Sequence, residues 1–189
     1  IMSFILEGVY GRTGDVHLVY INSCMGILLK GLYTFVPLVK WYTLFQYFFL
    51  FISFTIITWI LSKRMYHGKW MAALFLLLFF YEGYVSVQYT KTAAIVAVAG
   101  YLLIFNGLRQ DKKVQLSAGV VLGLFGALYR FEMFLLVTAF MFGVGLWELY
   151  CEDKKKSFMR RGVLTFASLF LLVGFFECLD MEEYQRDTD

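Results

Sequence analysis

Long apolar runs separated by short polar stretches make up most of the chain. A helix crosses the hydrocarbon core of a bilayer with about 20 apolar residues, and with fewer where the bilayer thins around it. Six runs meet this requirement: residues 41–61, 71–87, 92–106, 116–130, 132–149 and 162–177. The pattern predicts an all-α fold, a polytopic transmembrane helical bundle of about six passes within residues 41–177.

The longest apolar run decides the number of passes. Residues 116–150 would measure roughly 50 Å as a single helix, which is too long for one crossing. Arg130 and Glu132 lie near the middle of this run. A charge at the centre of the bilayer would be unfavourable by at least about 3 kcal/mol. We therefore predict that the run divides at these residues into two short passes.

The basic residues test this count independently. They form clusters at residues 63–69, 109–113 and 154–161, and two predicted passes separate each cluster from the next. All three clusters therefore fall on one side of the membrane, as the positive-inside rule requires of the cytoplasmic side. Both ends of the chain are then expected outside. Aromatic residues expected at the outer interface are Trp41, Tyr42, Tyr84, Tyr89 and Tyr129.

Residues 1–40 predict an outer loop and a helix that lies on the membrane. Asn22, Lys30 and several glycines interrupt the apolar pattern, but residues 17–33 have the spacing of an amphipathic helix. Such a helix suits the outer interface, and a shallow transmembrane helix is the alternative. Residues 178–189 are acidic and predict the start of an outer loop or a tail. The apolar face of the amphipathic helix would consist of Leu18, Ile21, Met25, Leu28, Leu29 and Leu32.

Composition indicates that the surrounding medium is lipid. Hydrophobic residues make up 60% of the 189 residues and charged residues 16%, whereas a soluble domain averages about 45–50% and about 25%. This excess excludes an ordinary soluble enzyme, a disordered chain and a disulfide scaffold. The net charge of +3 predicts no nucleic-acid partner, and the three cysteines are not spaced as a metal site or a redox pair.

A glycine-containing segment, GRTGDVH at residues 11–17, carries the first candidate chemistry. Its two glycines permit tight turns that could bring Arg12, Asp15 and His17 to the level of the lipid headgroups. Arg12 would then pair with a lipid phosphate, and Asp15 and His17 would act as a general base or as ligands of a divalent metal ion. In the alternative interpretation Asp15 caps the next helix and Arg12 is solvated.

Two further polar groups are expected on the same outer side. Arg130 and Glu132 would either anchor a helical hairpin at the headgroup level or hold an anionic group, since a guanidinium matches phosphate oxygens in pairs. Glu82, Gln88 and Lys91 form the second group, which would contact substrate or close a turn through a local ion pair.

A larger pattern extends from Ile5 to Tyr42: a glycine, a Thr-Gly turn, an Asp and a His, an apolar helix ending in Leu-Tyr, a proline, and Trp-Tyr. It resembles the outer loop, interfacial helix and second transmembrane entry of bacterial integral-membrane glycosyltransferases of the GT-C superfamily. The matching residues are Gly8, Thr13, Gly14, Asp15, His17, Leu32, Tyr33, Pro37, Trp41 and Tyr42, with further similarity at Gln88, Tyr89, Thr90, Ala93, Arg130, Phe131 and Glu132.

The resemblance implies an enzyme of the bacterial cytoplasmic membrane that passes a sugar from a polyprenyl-phosphate carrier to a glycan or lipid acceptor outside the cell. Asp15 and His17 would then be the catalytic residues, and Arg12, Arg130, Glu132, Gln88 and Lys91 would bind substrate. The resemblance also implies a fragment, because the family's first transmembrane helix and an acidic pair before the turn are not in this sequence.

Two other classes of protein remain open. A transporter or lipid flippase would place ionisable groups at the centres of its helices, and the predicted helix centres contain none. A non-catalytic membrane protein of polysaccharide assembly is the other alternative.

Overall fold

The computed structural model describes residues 21–36, 38–64, 66–151 and 155–188. This part of the chain is helical and contains no strand, so the predicted all-α class is confirmed. Its helices are α1 (Ser23–Phe35), α2 (Trp41–Arg64), α3 (Gly68–Tyr84), α4 (Tyr89–Gln110), α5 (Lys113–Tyr129), α6 (Phe131–Cys151) and α7 (Lys155–Thr188).

Three of these helices are long and apolar enough to cross a membrane. They are α2, α4 and the Phe158–Glu182 part of α7. Shorter apolar helices are α1, α5 and the Phe131–Trp147 part of α6. Length and composition in the described residues thus support a membrane protein, but they do not confirm the expected count of about six passes.

Short breaks separate the helices that follow one another. Between α4 and α5 the chain turns at Asp111, whose φ of 57° is in the left-handed region and whose N–H donates to the carbonyl of Gly107. Between α5 and α6 a single extended residue, Arg130, ends one helix and starts the next. Its N–H donates to Gly126 O at 3.2 Å, and its carbonyl accepts from Phe134 N at 3.1 Å.

The centre of the bundle is α4, which packs against α2, α5, α6 and α7. Its closest neighbour is α5, because glycines on both helices let the two backbones approach. A Cβ atom at Gly119 would lie 2.8 Å from Gly100 O, and one at Gly126 would lie 3.1 Å from Ala97 N. By contrast, α3 packs mainly on α2 and exposes most of its large apolar side chains.

The bundle has two ends, which we call upper and lower. The upper end contains the start of α2, the end of α3, the start of α4 and the junction of α5 with α6. The lower end contains the end of α2, the end of α4 and the start of α7. Arg64 hydrogen-bonds to Asn106 there, and Arg161 forms an ion pair with Asp111.

The first helix, α1, lies across the upper end, because residues at both of its ends contact that end. The Asn22 N–H donates to Leu128 O at 3.1 Å, and the Tyr33 hydroxyl accepts from the Tyr42 N–H at 3.3 Å. Its buried apolar residues are Met25, Leu29 and Tyr33. The predicted apolar face is therefore rotated in part, because Leu28 is exposed and Tyr33 is buried instead.

Two expectations differ from the structure. Residues 178–188 continue α7, which departs from the expected start of a loop and leaves the alternative, a tail, open. This segment contains no glycine or proline, and Met, Glu, Gln and Arg have high helix propensity, so a helix can extend beyond its apolar part. Tyr42 and Tyr129, expected at the membrane interface, are buried, because α1 covers the end of the bundle where they lie.

Candidate functional site

The side chain of Arg130 is the best-defined charged group at the upper end. It is 25% exposed and lies at the junction of α5 and α6. One Nη donates to Thr90 Oγ1 at 2.6 Å, and Nε donates to Glu132 Oε2 at 3.2 Å. The guanidinium carbon lies 5.5 Å from the ring centroid of Tyr89. These contacts orient the guanidinium and join α4 to the α5–α6 junction.

A cation in this position can bind an anionic oxygen. Guanidinium groups form strong hydrogen bonds with phosphate and carboxylate because both partners are charged and their geometries match. Glu132 is 65% exposed, so its ion pair with Arg130 is largely solvated and adds only about 0–1 kcal/mol to stability. An incoming phosphate can therefore compete with this carboxylate at little expense to the fold.

Lys91 and Glu82 form an ion pair that joins the first turn of α4 to the last turn of α3. The Lys91 ammonium also lies 3.3 Å from Ser86 Oγ. Gln88 precedes α4, and its backbone carbonyl accepts from the Thr92 N–H at 2.9 Å and from the Thr92 hydroxyl at 3.1 Å. Lys91 is therefore in a local ion pair that closes the turn, which was one of its two predicted roles. Gln88 contacts α4 through its backbone carbonyl.

Acidic side chains of α7 approach the start of α1. Asp180 Oδ1 accepts from the Ser23 N–H at 2.6 Å, which suits an anion at a helix N-terminus. The Asn22 amide donates to Phe176 O at 3.2 Å and to Glu177 Oε1 at 3.4 Å. These carboxylates lie at the same end of the bundle as Arg130.

Beneath Arg130 lies a buried group of tyrosines that the sequence analysis did not identify. The Gln46 amide donates to the Tyr42 hydroxyl at 3.0 Å. The hydroxyl of Tyr129 is buried and has no hydrogen-bond partner in the described part of the chain, although its ring packs edge-on against Phe49. Gln46 within an apolar run was the available signal, since a buried amide needs a partner.

The lower end has its own polar cluster, which also went unpredicted. Asn106 is 2% exposed. Its Oδ1 accepts from Arg64 Nε and from the Gln110 amide, both at 3.0 Å, and its amide donates to Gln115 Oε1 at 3.0 Å. This network joins α2, α4 and α5. The signal in the sequence was a single asparagine within an apolar helix.

The remaining predicted site residues, Arg12, Asp15 and His17, lie outside the described residues. Among the residues that are described, no group of three or more His, Cys, Asp or Glu side chains could hold a metal ion. The structure therefore brings together Arg130, Glu132 and the start of α4, and gives no geometry for the proposed general base.

Comparison with known proteins gives no relative. No family model matches the chain, and no curated protein and no solved structure is similar to it.

Proposed function

We propose that this chain is the membrane-spanning part of a glycosyltransferase similar to the GT-C superfamily, acting in the assembly of cell-surface polysaccharide or glycolipid. The observation that carries this proposal is the oriented guanidinium of Arg130, held by Thr90 and Glu132 at one end of an apolar bundle. A sugar on a polyprenyl phosphate presents its phosphate at the level of the headgroups. Arg130 would bind that phosphate there.

The proposal includes six crossings, made by α2 to α7. In its support, α3 and α5 have 17 residues each, which is roughly 26 Å of helix and close to the lower limit for crossing a bilayer. Arg64, Asp111 and Arg161 belong to the three segments that contain the basic clusters, and their contacts place these segments together at the lower end. The positive-inside rule then assigns the lower end to the cytoplasm and the upper end to the outside of a bacterial cytoplasmic membrane.

Cysteine labelling of intact cells tests this orientation. Val85 and Lys112 are exposed and lie at opposite ends of the bundle. In a variant without the native cysteines, Val85→Cys is expected to react with a membrane-impermeant maleimide, and Lys112→Cys is expected to react only after the cells are opened. Labelling of Lys112→Cys in intact cells would contradict the orientation.

In the proposed reaction, an acceptor hydroxyl oxygen forms a bond to the anomeric carbon of the sugar. The bond between that carbon and the phosphate oxygen breaks, and the carrier leaves as polyprenyl phosphate. Arg130 would stabilise the negative charge that develops on this phosphate. The proton of the acceptor would pass to a general base, for which Asp15 and His17 are the proposed residues. Glu132 acts as a positioning residue, because it holds Nε of the guanidinium until the phosphate replaces it.

Lipid binding tests the role of Arg130 directly. The full chain in nanodiscs is titrated with a polyprenyl phosphate and, separately, with the corresponding polyprenol, which lacks the phosphate. Arg130→Gln is expected to weaken binding of the phosphate by about 10-fold to 100-fold, the loss of one charge-assisted contact of about 1.5–3 kcal/mol, and Arg130→Lys by less. Binding of the polyprenol should not change.

Lys40→Gln is the matched control, because Lys40 is exposed at the same end of the bundle, immediately before α2, and the substitution removes one positive charge there. Equal binding of the two lipids by the wild-type chain would refute the phosphate site. Equal losses in Arg130→Gln and Lys40→Gln would also refute it, since the effect would then reflect general charge.

A further inference from the structure

A groove between α4, α6 and α7 has a volume of about 810 Å³, within the range of about 300–1,000 Å³ for ligand sites. Phe105, Phe142 and Phe166 contribute to its apolar walls. The two hydroxyls among the lining residues belong to Tyr101 and Thr138, and they hydrogen-bond to each other at 2.6 Å. The groove therefore offers an occupant almost no unsatisfied polar group.

The length of the groove fits one leaflet of a bilayer, and two of its three helices line it nearer the lower end. Along α6 it extends from Leu135 to Leu146, roughly 16 Å of helix and about half of a hydrocarbon core of about 30 Å. On α4 it is lined only from Tyr101 to Leu108, near the lower end of that helix. On α7 it is lined from Phe158 to Phe170, which is also nearer the lower end, whereas on α6 the lining extends across the middle of the helix.

The charges near the groove differ between the two ends of the bundle. At the lower end, Arg160 is exposed one residue after Met159, which lines the groove. Lys155 and Lys156 begin the same helix about one turn earlier, and Arg109 follows the lining residue Leu108. At the upper end, by contrast, Lys91 and Arg130 are each paired with a carboxylate. An anionic headgroup is therefore favoured at the lower mouth of the groove.

We propose that this groove binds one acyl chain of an anionic phospholipid, with the headgroup at the basic residues of the lower end. The lipid belongs to the leaflet opposite the one that presents a substrate to Arg130. The inference stands independently of the proposed glycosyltransferase activity, because it uses other residues and another end of the bundle.

Bound lipid can be counted by native mass spectrometry of the full chain after reconstitution. The probes are phosphatidylglycerol and phosphatidylcholine with the same acyl chains. Ala139→Trp fills the groove from an exposed position on α6, and Leu136→Trp is its control, since Leu136 is on the same helix but does not line the groove. Ala139→Trp is expected to lose most of the bound phosphatidylglycerol, and Leu136→Trp to retain the wild-type amount.

The headgroup is tested with Arg160→Gln, which should weaken retention of phosphatidylglycerol about fivefold and leave phosphatidylcholine unchanged. If Ala139→Trp loses helicity, Ala167→Trp fills the groove from the opposite wall, with Leu164→Trp as its control. Equal retention of the two lipids by the wild-type chain would overturn the proposal. So would lipid-free dimers that the groove-filling variant dissociates, because the occupant would then be a second copy.

Discussion

Replacing Gly100 by alanine should separate the two central helices. A Cβ atom at this position would lie 2.8 Å from Gly123 N and 2.9 Å from Gly119 O. Both atoms belong to the backbone of α5, so neither can move aside by a change of rotamer. The helices must therefore move apart, and the packing of α4 against α5 becomes weaker along its length.

The magnitude follows from two opposing effects. Overpacking a close contact is unfavourable by about 1–3 kcal/mol, and the rigid backbone neighbours place this substitution near the upper value. Alanine has the higher helix propensity, by about 1 kcal/mol. We expect Gly100→Ala to lower the free energy of unfolding by about 2 kcal/mol. Gly143→Ala is the matched control, because a Cβ atom there would meet nothing within 4 Å, so only the propensity gain applies.

The free energy of unfolding of both variants is measured on the purified chain in mixed micelles. Circular dichroism follows the loss of helix as the fraction of denaturing detergent rises. Gly123→Ala gives an intermediate point, since its Cβ would meet the flexible side chain of Leu169 at 3.2 Å. The order of stability should be Gly143→Ala, then Gly123→Ala, then Gly100→Ala. If Gly100→Ala and Gly143→Ala unfold together, the close α4–α5 contact does not stabilise the bundle.

Two other substitutions have expected outcomes in the same assay. Asn106→Leu removes the acceptor of Arg64 Nε and two further partly buried hydrogen bonds, so the free energy of unfolding should fall by about 2–4 kcal/mol. A loss below about 1 kcal/mol would contradict this. Tyr129→Phe removes a buried hydroxyl that has no hydrogen-bond partner among the described residues, so stability should stay equal or rise by up to about 1 kcal/mol. Tyr42→Phe deletes the acceptor of Gln46 and should lower stability by about 1 kcal/mol. The reverse order for the two tyrosines would refute this account.

Much of the secondary structure could be predicted from local pattern. Apolar runs long enough for helices are visible in the sequence, and the division of the longest run at Arg130 follows from the presence of a charge within it. The extent of α7 was less predictable. Residues 178–188 lack the apolar character of a crossing, but helix propensity does not depend on apolar character, and the helix continues through them.

The candidate site was predictable only in part. Arg130 and Glu132 attract attention because charges are rare in apolar runs, and their contact is local. The contact of Arg130 with Thr90 joins residues 40 positions apart. No periodicity in either segment indicates it, because it depends on which helices become neighbours.

The apolar content and the placement of charges were enough to indicate helices in lipid, because burial of so many apolar side chains away from water is strongly favourable. Which polar groups are buried, and where a groove remains, depends on how the helices pack against one another. Packing selects these features, since a tyrosine at a helix end is exposed or buried according to whether another helix, here α1, lies over it. Packing likewise places Asn106 in a hydrogen-bond network of three helices and leaves a groove between α6 and α7.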